Sequence, residues 1–198
     1  DSMSPNYNPM ATEDDGSCLQ TFTTKEELQN AVNEWVSDEA TATTAYGEIN
    51  TWDVSQITDM SNLFQNKTTF NSDISSWDVS SVFNMELMFK GASSFNQPIG
   101  DWNVSQVTNM RSMFRDIGSN FNADISSWDV SQVINMAFMF QNASSFNQDL
   151  SSWDVSQVQD VTNMFRNASS FDQNISSWIT TNLITTNSCL LYTSDAAD

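Results

Sequence analysis

Apolar residues return along this chain in a fixed order. From Phe70 they fall at Ile74, Trp77, Val79, Val82, Met85, Met88, Phe89 and Ala92, and neighbouring copies keep the positions at Trp102, Val104, Val107, Met110, Met113, Phe114 and at Trp128, Val130, Val133, Met136, Met139, Phe140. Trp77 and Val79 stand two apart, as on one face of a strand, whereas Val82 to Ala92 recur at three and four, as on one face of a helix. Each copy therefore predicts a short strand followed by a short helix.

Trp52, Trp77, Trp102, Trp128, Trp153 and Trp178 mark the copies, at intervals of 25, 25, 26, 25 and 25 residues. A unit this short cannot bury its own apolar face and must stack on its neighbours. Ile74-x-x-Trp77-x-Val79 also fits the frame L-x-x-L-x-L of a leucine-rich repeat, whose period runs from about 20 to 29 residues. The expected fold class is an α/β repeat. It is a leucine-rich-repeat-like solenoid of about five to six strand-plus-short-helix turns, with an N-terminal capping helix.

That helix is read from Thr24-Lys25-Glu26-Glu27, which has capping-box spacing, followed by Leu28, Ala31, Val32 and Trp35 at i, i+3, i+4 and i+7. Trp35 is placed to plug the first repeat. Ser37 to Tyr46 reads as a connection into a first strand near Ile49. The extra residue of the third turn, around Arg115 to Asn120, belongs in a loop. Residues 19–48 thus form the cap and connection, and residues 49–188 the solenoid.

The phrase running from Trp77-Asp78-Val79-Ser80 through Asn84-Met85, Met88-Phe89 and Ala92 to Phe95-Asn96-Gln97 resembles the repeat of BspA-like leucine-rich-repeat surface proteins. The likeness covers roughly Thr23 to Leu183. It implies an extracellular or cell-surface protein, in some members an adhesin, and supplies no ligand.

The ends read differently. Residues 1–18, closing on Glu13-Asp14-Asp15-Gly16-Ser17-Cys18, resemble the small Cys-bounded acidic modules of secreted proteins, cut so that Cys18 lacks its partner. Residues 189–198 resemble the translation of a sequencing-library adapter and are read as an artefact. A Cys18–Cys189 disulfide is accordingly not expected. Asp14 and Asp15 are weak calcium candidates, because they lack the alternating ligand spacing of a calcium loop.

Charge narrows the partners. With 25 acidic residues, 6 basic and no histidine, the formal charge is −19, so nucleic acid and anionic membranes are poor partners. The first 50 residues hold ten acidic residues and one Lys, and residues 51–188 hold thirteen against five. No apolar run approaches the roughly 18 residues of a membrane span, so no direct insertion is expected.

Three sets of residues invite a functional reading. The Trp, Met and Phe positions suit a core better than a sugar platform or ligand groove. Asn71, Asn96, Asn122, Asn147 and Asp172, with Asp59, Asn84, Asn109, Asn135 and Asp160, read as ladders that bond backbone of their own or adjacent turns. The candidate binding face pairs Asp53 with Ser55, Asp78 with Ser80, Asn103 with Ser105, Asp129 with Ser131 and Asp154 with Ser156, pointing away from Trp and Val on a regular strand. Stacked carboxylates repel and need compensation from water, cations, backbone or ligand. Sequons at Asn66, Asn103, Asn142, Asn167 and Asn174 arise readily in a repeat this rich in Asn and Ser.

No enzyme is expected. Histidine is absent, and the carboxylates repeat with the architecture instead of gathering once in a pocket. The chain reads as a non-catalytic surface or secreted module presenting the Ser/Asp face to an extracellular protein or polysaccharide, with no cofactor. A passive spacer in a multidomain surface protein is the alternative. A calcium or ice-binding array comes third.

Overall fold

The computed structural model describes residues 20–185. The acidic segment with Asp14, Asp15 and Cys18, and the tail with Cys189, lie outside the described residues.

The first element is helix α1, Lys25–Ser37. Thr24 caps it: its hydroxyl accepts the Glu27 N–H at 3.2 Å, and the Glu27 carboxylate returns to the Thr24 N–H at 3.0 Å. Leu28, Ala31, Val32 and Trp35 are buried along one stripe. The stretch read as a connection is itself largely helical, forming α2, Glu39–Tyr46. Asp38 caps its start by accepting the Thr41 N–H, and Gly47 ends it at a φ of 74°. Ala42 is its buried residue, so α2 has no apolar stripe to betray it. Where a first strand was expected, Ile49–Thr51 makes a 3₁₀ turn.

The repeats correct the strand-plus-helix expectation outright. Among the described residues they contain no strand, no sheet and no helix, so the leucine-rich-repeat-like α/β solenoid is not what forms. Each copy is a coil of tight turns stacked on the next. In the second coil, backbone bonds from residue i+3 to residue i close Ile74–Trp77, Val79–Val82, Met85–Met88, Leu87–Lys90, Phe89–Ala92 and Ala92–Phe95. Turns of this kind put apolar corners three residues apart, and two of them offset by four give the spacing that mimics a helix face. A helix needs each N–H to reach back four residues. Here the Glu86 N–H is taken by the Asn84 side chain at 3.1 Å, and the Leu87 and Phe89 N–H groups leave the coil altogether.

Those departing donors join the coils. Met60, Asn62, Phe64 and Asn66 donate to the carbonyls of Asn84, Glu86, Met88 and Lys90, at 2.7 to 2.9 Å. Met85, Leu87, Phe89 and Gly91 do the same toward Asn109, Arg111, Met113 and Arg115. A file of single-residue parallel bridges, Asp59–Asn84–Asn109–Asn135–Asp160–Thr185, marks the register. Alternating the direction of successive N–H groups forces two left-handed residues per coil: Asn62 and Asn66, Leu87 and Gly91, Ser112 and Asp116, Phe138 and Asn142, Asn163 and Asn167. The Trp77–Val79 stretch, expected to ladder as a strand, makes no backbone bond to a neighbouring coil.

The indole of Trp does that work instead. Trp77, Trp102, Trp128, Trp153 and Trp178 each donate Nε1–H to the carbonyl of the residue three before the preceding coil's Trp, at 2.8, 3.2, 3.0, 3.2 and 2.9 Å. Inside, Phe64, Phe89, Phe114, Phe140 and Phe165 form one column, with centroids 5.2 to 5.8 Å apart and planes within 12°. Phe70, Phe95, Phe121, Phe146 and Phe171 form a second, each ring 4.0 to 4.4 Å from its partner in the first. Trp35 of α1 meets Trp52 edge-on at 5.8 Å, so the helix packs on the first coil. The extra residue of the third coil falls where Gly118, at a φ of 89°, lies against Ser93; a Cβ there would sit 3.3 Å from the Ser93 Cβ.

Two substitutions test this construction. Leu87 holds a left-handed φ of 60° where other coils place Asn62 and Asn163. Leu87→Asn should raise stability by about 1 kcal/mol, since a left-handed L-residue costs roughly 1 to 2 kcal/mol that Asn largely avoids. Thermal melts read this directly. Trp102→Phe keeps most of the buried ring but removes one of the two hydrogen bonds the Ile74 carbonyl accepts, leaving that from the Trp77 N–H, and should cost about 0.5 to 1.5 kcal/mol by denaturant titration. Trp102→Ala should cost about 3 to 5 kcal/mol.

Candidate functional site

The Asp and Ser positions singled out in the sequence sit on turns, not on a regular strand. In every coil the Oδ1 atom of Asp53, Asp78, Asn103, Asp129 or Asp154 accepts the backbone N–H two residues on, at Ser55, Ser80, Ser105, Ser131 or Ser156, at 3.0 to 3.2 Å. These are Asx turns. The five pairs form a file of corners closed by the same bond, with the Ser half-buried throughout and the acidic or amide residue exposed from Asp78 onward. One side-chain oxygen is committed to the turn. The carboxylate is thereby fixed in direction, and its second oxygen is left to other partners.

Two further sets of Asx turns shape the coils, the first interrupted where Pro98 takes the Asp73 position. Asp73, Asp124, Asp149 and Asn174 accept from the Ser two residues on at 2.9 to 3.0 Å. Asp59, Asn84, Asn109, Asn135 and Asp160 do the same for Ser61, Glu86, Arg111, Ala137 and Thr162. The Asn71 file works between coils: Asn71, Asn96, Asn122 and Asn147 each accept the backbone N–H of the next member, ending at Asp172, all at 2.9 Å. Ser127, Ser152 and Ser177 donate their hydroxyls to the preceding coil's backbone at 2.9 Å. Most of the repeated Asn, Asp and Ser is therefore spent in holding the coil's shape.

These bonds set the acidity of the carboxylates. The Ser N–H two residues on, helped by the Ser hydroxyl, holds Asp73, Asp124, Asp149 and Asp154 below the ordinary carboxylate range. For Asp53, Asp59 and Asp160, burial pushes upward as the largest single influence, but hydrogen bonds from the residue two on and from Thr21, Lys25 or Thr185 together carry the group below its usual value. Among the described residues no three acidic or thiol side chains gather as metal ligands. A hollow of about 460 Å³ lies beside Gln20 to Thr23, Tyr46 and Gln56, and its Glu27 is committed to the helix cap. No helix is long and apolar enough to cross a membrane among the described residues.

One cluster escaped the reading by repeats because it breaks them. The Phe138 ring has the Arg111 and Arg115 guanidinium carbons 5.4 and 5.5 Å from its centroid. Arg111 pairs with Glu86 at 3.0 Å, and Arg115 Nε lies 3.3 Å from Asp116, out of line for a hydrogen bond. The sequence signal was available: the Asn62 and Asn163 position becomes Phe, next to a coil carrying two Arg.

The geometry defines a tandem-repeat protein whose coils are stapled by side chains as much as by backbone. Residues 30–119 and 116–197 match the family described as Mycoplasma protein of unknown function, DUF285, and the chain belongs to that family. This accords with the likeness of its repeats to the BspA-like ones. No curated protein and no solved structure gives a significant match.

The lowered carboxylates make stability depend on acid. A group whose folded pKa lies below its unfolded value contributes stability above the unfolded value, near pH 4, and that contribution is lost as pH falls through the folded value. Chemical denaturation should therefore show stability dropping between about pH 5 and pH 2. A triple Asp73→Asn, Asp124→Asn and Asp149→Asn variant keeps the acceptor, as Asn174 does natively at 3.0 Å. Its stability should fall less across the same interval.

Proposed function

We propose that this chain is a non-catalytic binding module of a secreted or surface-displayed protein, and that it presents the Asp/Ser corners to an extended extracellular ligand, a polysaccharide or a protein. The observation carrying this reading is the file of five Asx corners from Asp53/Ser55 to Asp154/Ser156, four of Asp and one of Asn103, each fixed by the same bond. Fixed side chains lose little entropy on binding. A ligand with its own repeat can engage several corners at once, so weak contacts multiply. The likeness to surface-protein repeats supports display outside the cell.

A spacer is the second reading, favoured by the unbroken Phe column through five coils, which suits a stiff rod. The two separate on one experiment. A multimer of the whole chain is tested on arrays of polysaccharides and extracellular proteins, with calcium and with chelator. Ser80→Glu, Ser105→Glu and Ser131→Glu together should lower avidity at least about tenfold, because simultaneous contacts are lost. Absence of binding by the folded multimer would leave the spacer.

A further inference from the structure

The arc of each coil that runs from the bridge residue to the residue after the second left-handed position differs chemically from the rest of the column. Lys67, Lys90, Arg111, Arg115 and Arg166 all lie on it, and Lys25 of α1 reaches it at Asp59, 3.1 Å away. These are the six cations of a chain with net charge −19, and they share the arc with Asp59, Glu86, Asp116 and Asp160, the first three of which pair with Lys25, Arg111 and Arg115. The other arcs of the coils carry carboxylates and no cation. Lys90 and Arg166, in the same file as Arg115, pair with no carboxylate among the described residues.

Exposed apolar side chains border the same arc. Phe83 is 49% exposed and Ile134 44%, each immediately before a bridge Asn, two coils apart. Between them stand Arg111 and Arg115 with the half-exposed Phe138 ring. Phe138 has a left-handed φ of 62°. A bulky aromatic residue in that region is strained, and such strain concentrates at functional positions. The core does not account for it, since the ring is not buried there.

A second observation points to unfinished hydrogen bonding in this part of the column. The Ser112 hydroxyl and the Gln141 side-chain carbonyl are buried without a partner, in residues 0% and 7% exposed. Ser112 occupies the coil position of Phe138, one coil earlier, and Gln141 that of Arg115, one coil later. Arginine beside aromatic and aliphatic side chains is the composition of protein interfaces.

We infer that this arc, centred on Phe138, is a docking surface for an acidic protein segment that carries apolar side chains. Its carboxylates meet Lys90 and Arg166, and its apolar groups meet Phe83, Ile134 and Phe138. Charge complementarity names the partner: every cation of this strongly acidic chain lies on or against this arc, and Lys90 and Arg166 pair with none of the carboxylates that share it among the described residues. The acidic excess elsewhere weakens long-range attraction, yet at physiological salt charges beyond about 8 Å are largely screened and the local contacts decide. The surface shares no residue with the Asp/Ser corners, so the two readings stand or fall separately.

The test uses defined polymers and the whole chain at physiological salt, by biolayer interferometry: a random glutamate–tyrosine copolymer, polyglutamate and dextran sulfate. The copolymer should bind most tightly. Phe138→Asn puts at this position the residue found at Asn62 and Asn163, so its melting temperature should hold or rise while copolymer affinity falls at least about tenfold, equivalent to about 1.4 kcal/mol. Lys90→Glu with Arg166→Glu should weaken the copolymer comparably. Absence of copolymer binding overturns the proposal. So does full affinity in Phe138→Asn, or equal binding of all three polymers, which would mark a bare polyanion effect.

Discussion

The structure depends on N–H groups that leave their own coil. In a helix the donors stay within the element, and in a sheet they alternate between two neighbours. Here Met60, Asn62, Phe64 and Asn66 all donate forward, to Asn84, Glu86, Met88 and Lys90. A single coil is therefore an unfinished hydrogen-bonding unit: along this arc its donors face the next coil and its carbonyls the preceding one, while single N–H groups at Phe83 and Ile134 reach back to Thr58 and Thr108. Burying such groups unpaired costs more than a packed Phe ring gains, so stacking is a condition of folding, not an added stabilisation.

The start of the column follows from that polarity. The first coil has no coil before it to donate to its carbonyls, and side chains of α1 stand in. Gln29 Nε2 donates to the Leu63 carbonyl at 3.0 Å, where the preceding coil's backbone would. Lys25 bonds both Asp59 and the Ser61 hydroxyl, and Lys67 reaches back to Asn33 at 2.7 Å. Trp35 against Trp52 supplies the apolar half of the junction. α1 thus closes hydrogen bonds as well as apolar surface. Its amphipathic stripe announced only the second task.

Burial was legible in the sequence, and secondary structure was not, for one reason. Val82, Met85, Met88, Phe89 and Ala92 are all buried, as their spacing implied. The spacing cannot say whether consecutive turns or a helix produced it, because both return a corner every three or four residues. The deciding signal lay in the polar residues between: Asn62 and Asn66, Gly91, Asn142, Asn163 and Asn167 recur at the two positions that need a left-handed backbone. An amphipathic helix has no use for such residues at its centre. The Trp were legible as core, but not the target of their indole N–H, since Trp102 bonds a carbonyl 28 residues earlier and such a reach follows only from the stacked geometry. The Asp/Ser pairs were legible as a file. Their commitment to Asx turns was hidden by the strand expectation, which turned the Asp outward with nothing to hold it.

That commitment also answers how stacked carboxylates coexist. Each receives a backbone N–H, a bond that at Asp154 holds the carboxyl below its ordinary range, and Asn103 interrupts the file in the third coil with an uncharged residue making the same bond at 3.2 Å. The same region departs from regularity elsewhere. The extra residue near Gly118, the paired arginines, the strained Phe138 and the buried Ser112 and Gln141 groups all fall in the third and fourth coils. A perfect repeat offers the same surface at every register, so a ligand on it gains avidity but no unique position. A partner that must dock at one place needs a feature the repeat does not copy. Departures from the repeat are what natural selection would have to retain for that purpose against the stability that Asn or Gly would give at the same positions. Regular and irregular arcs of one column can then serve different partners without competing for the same side chains.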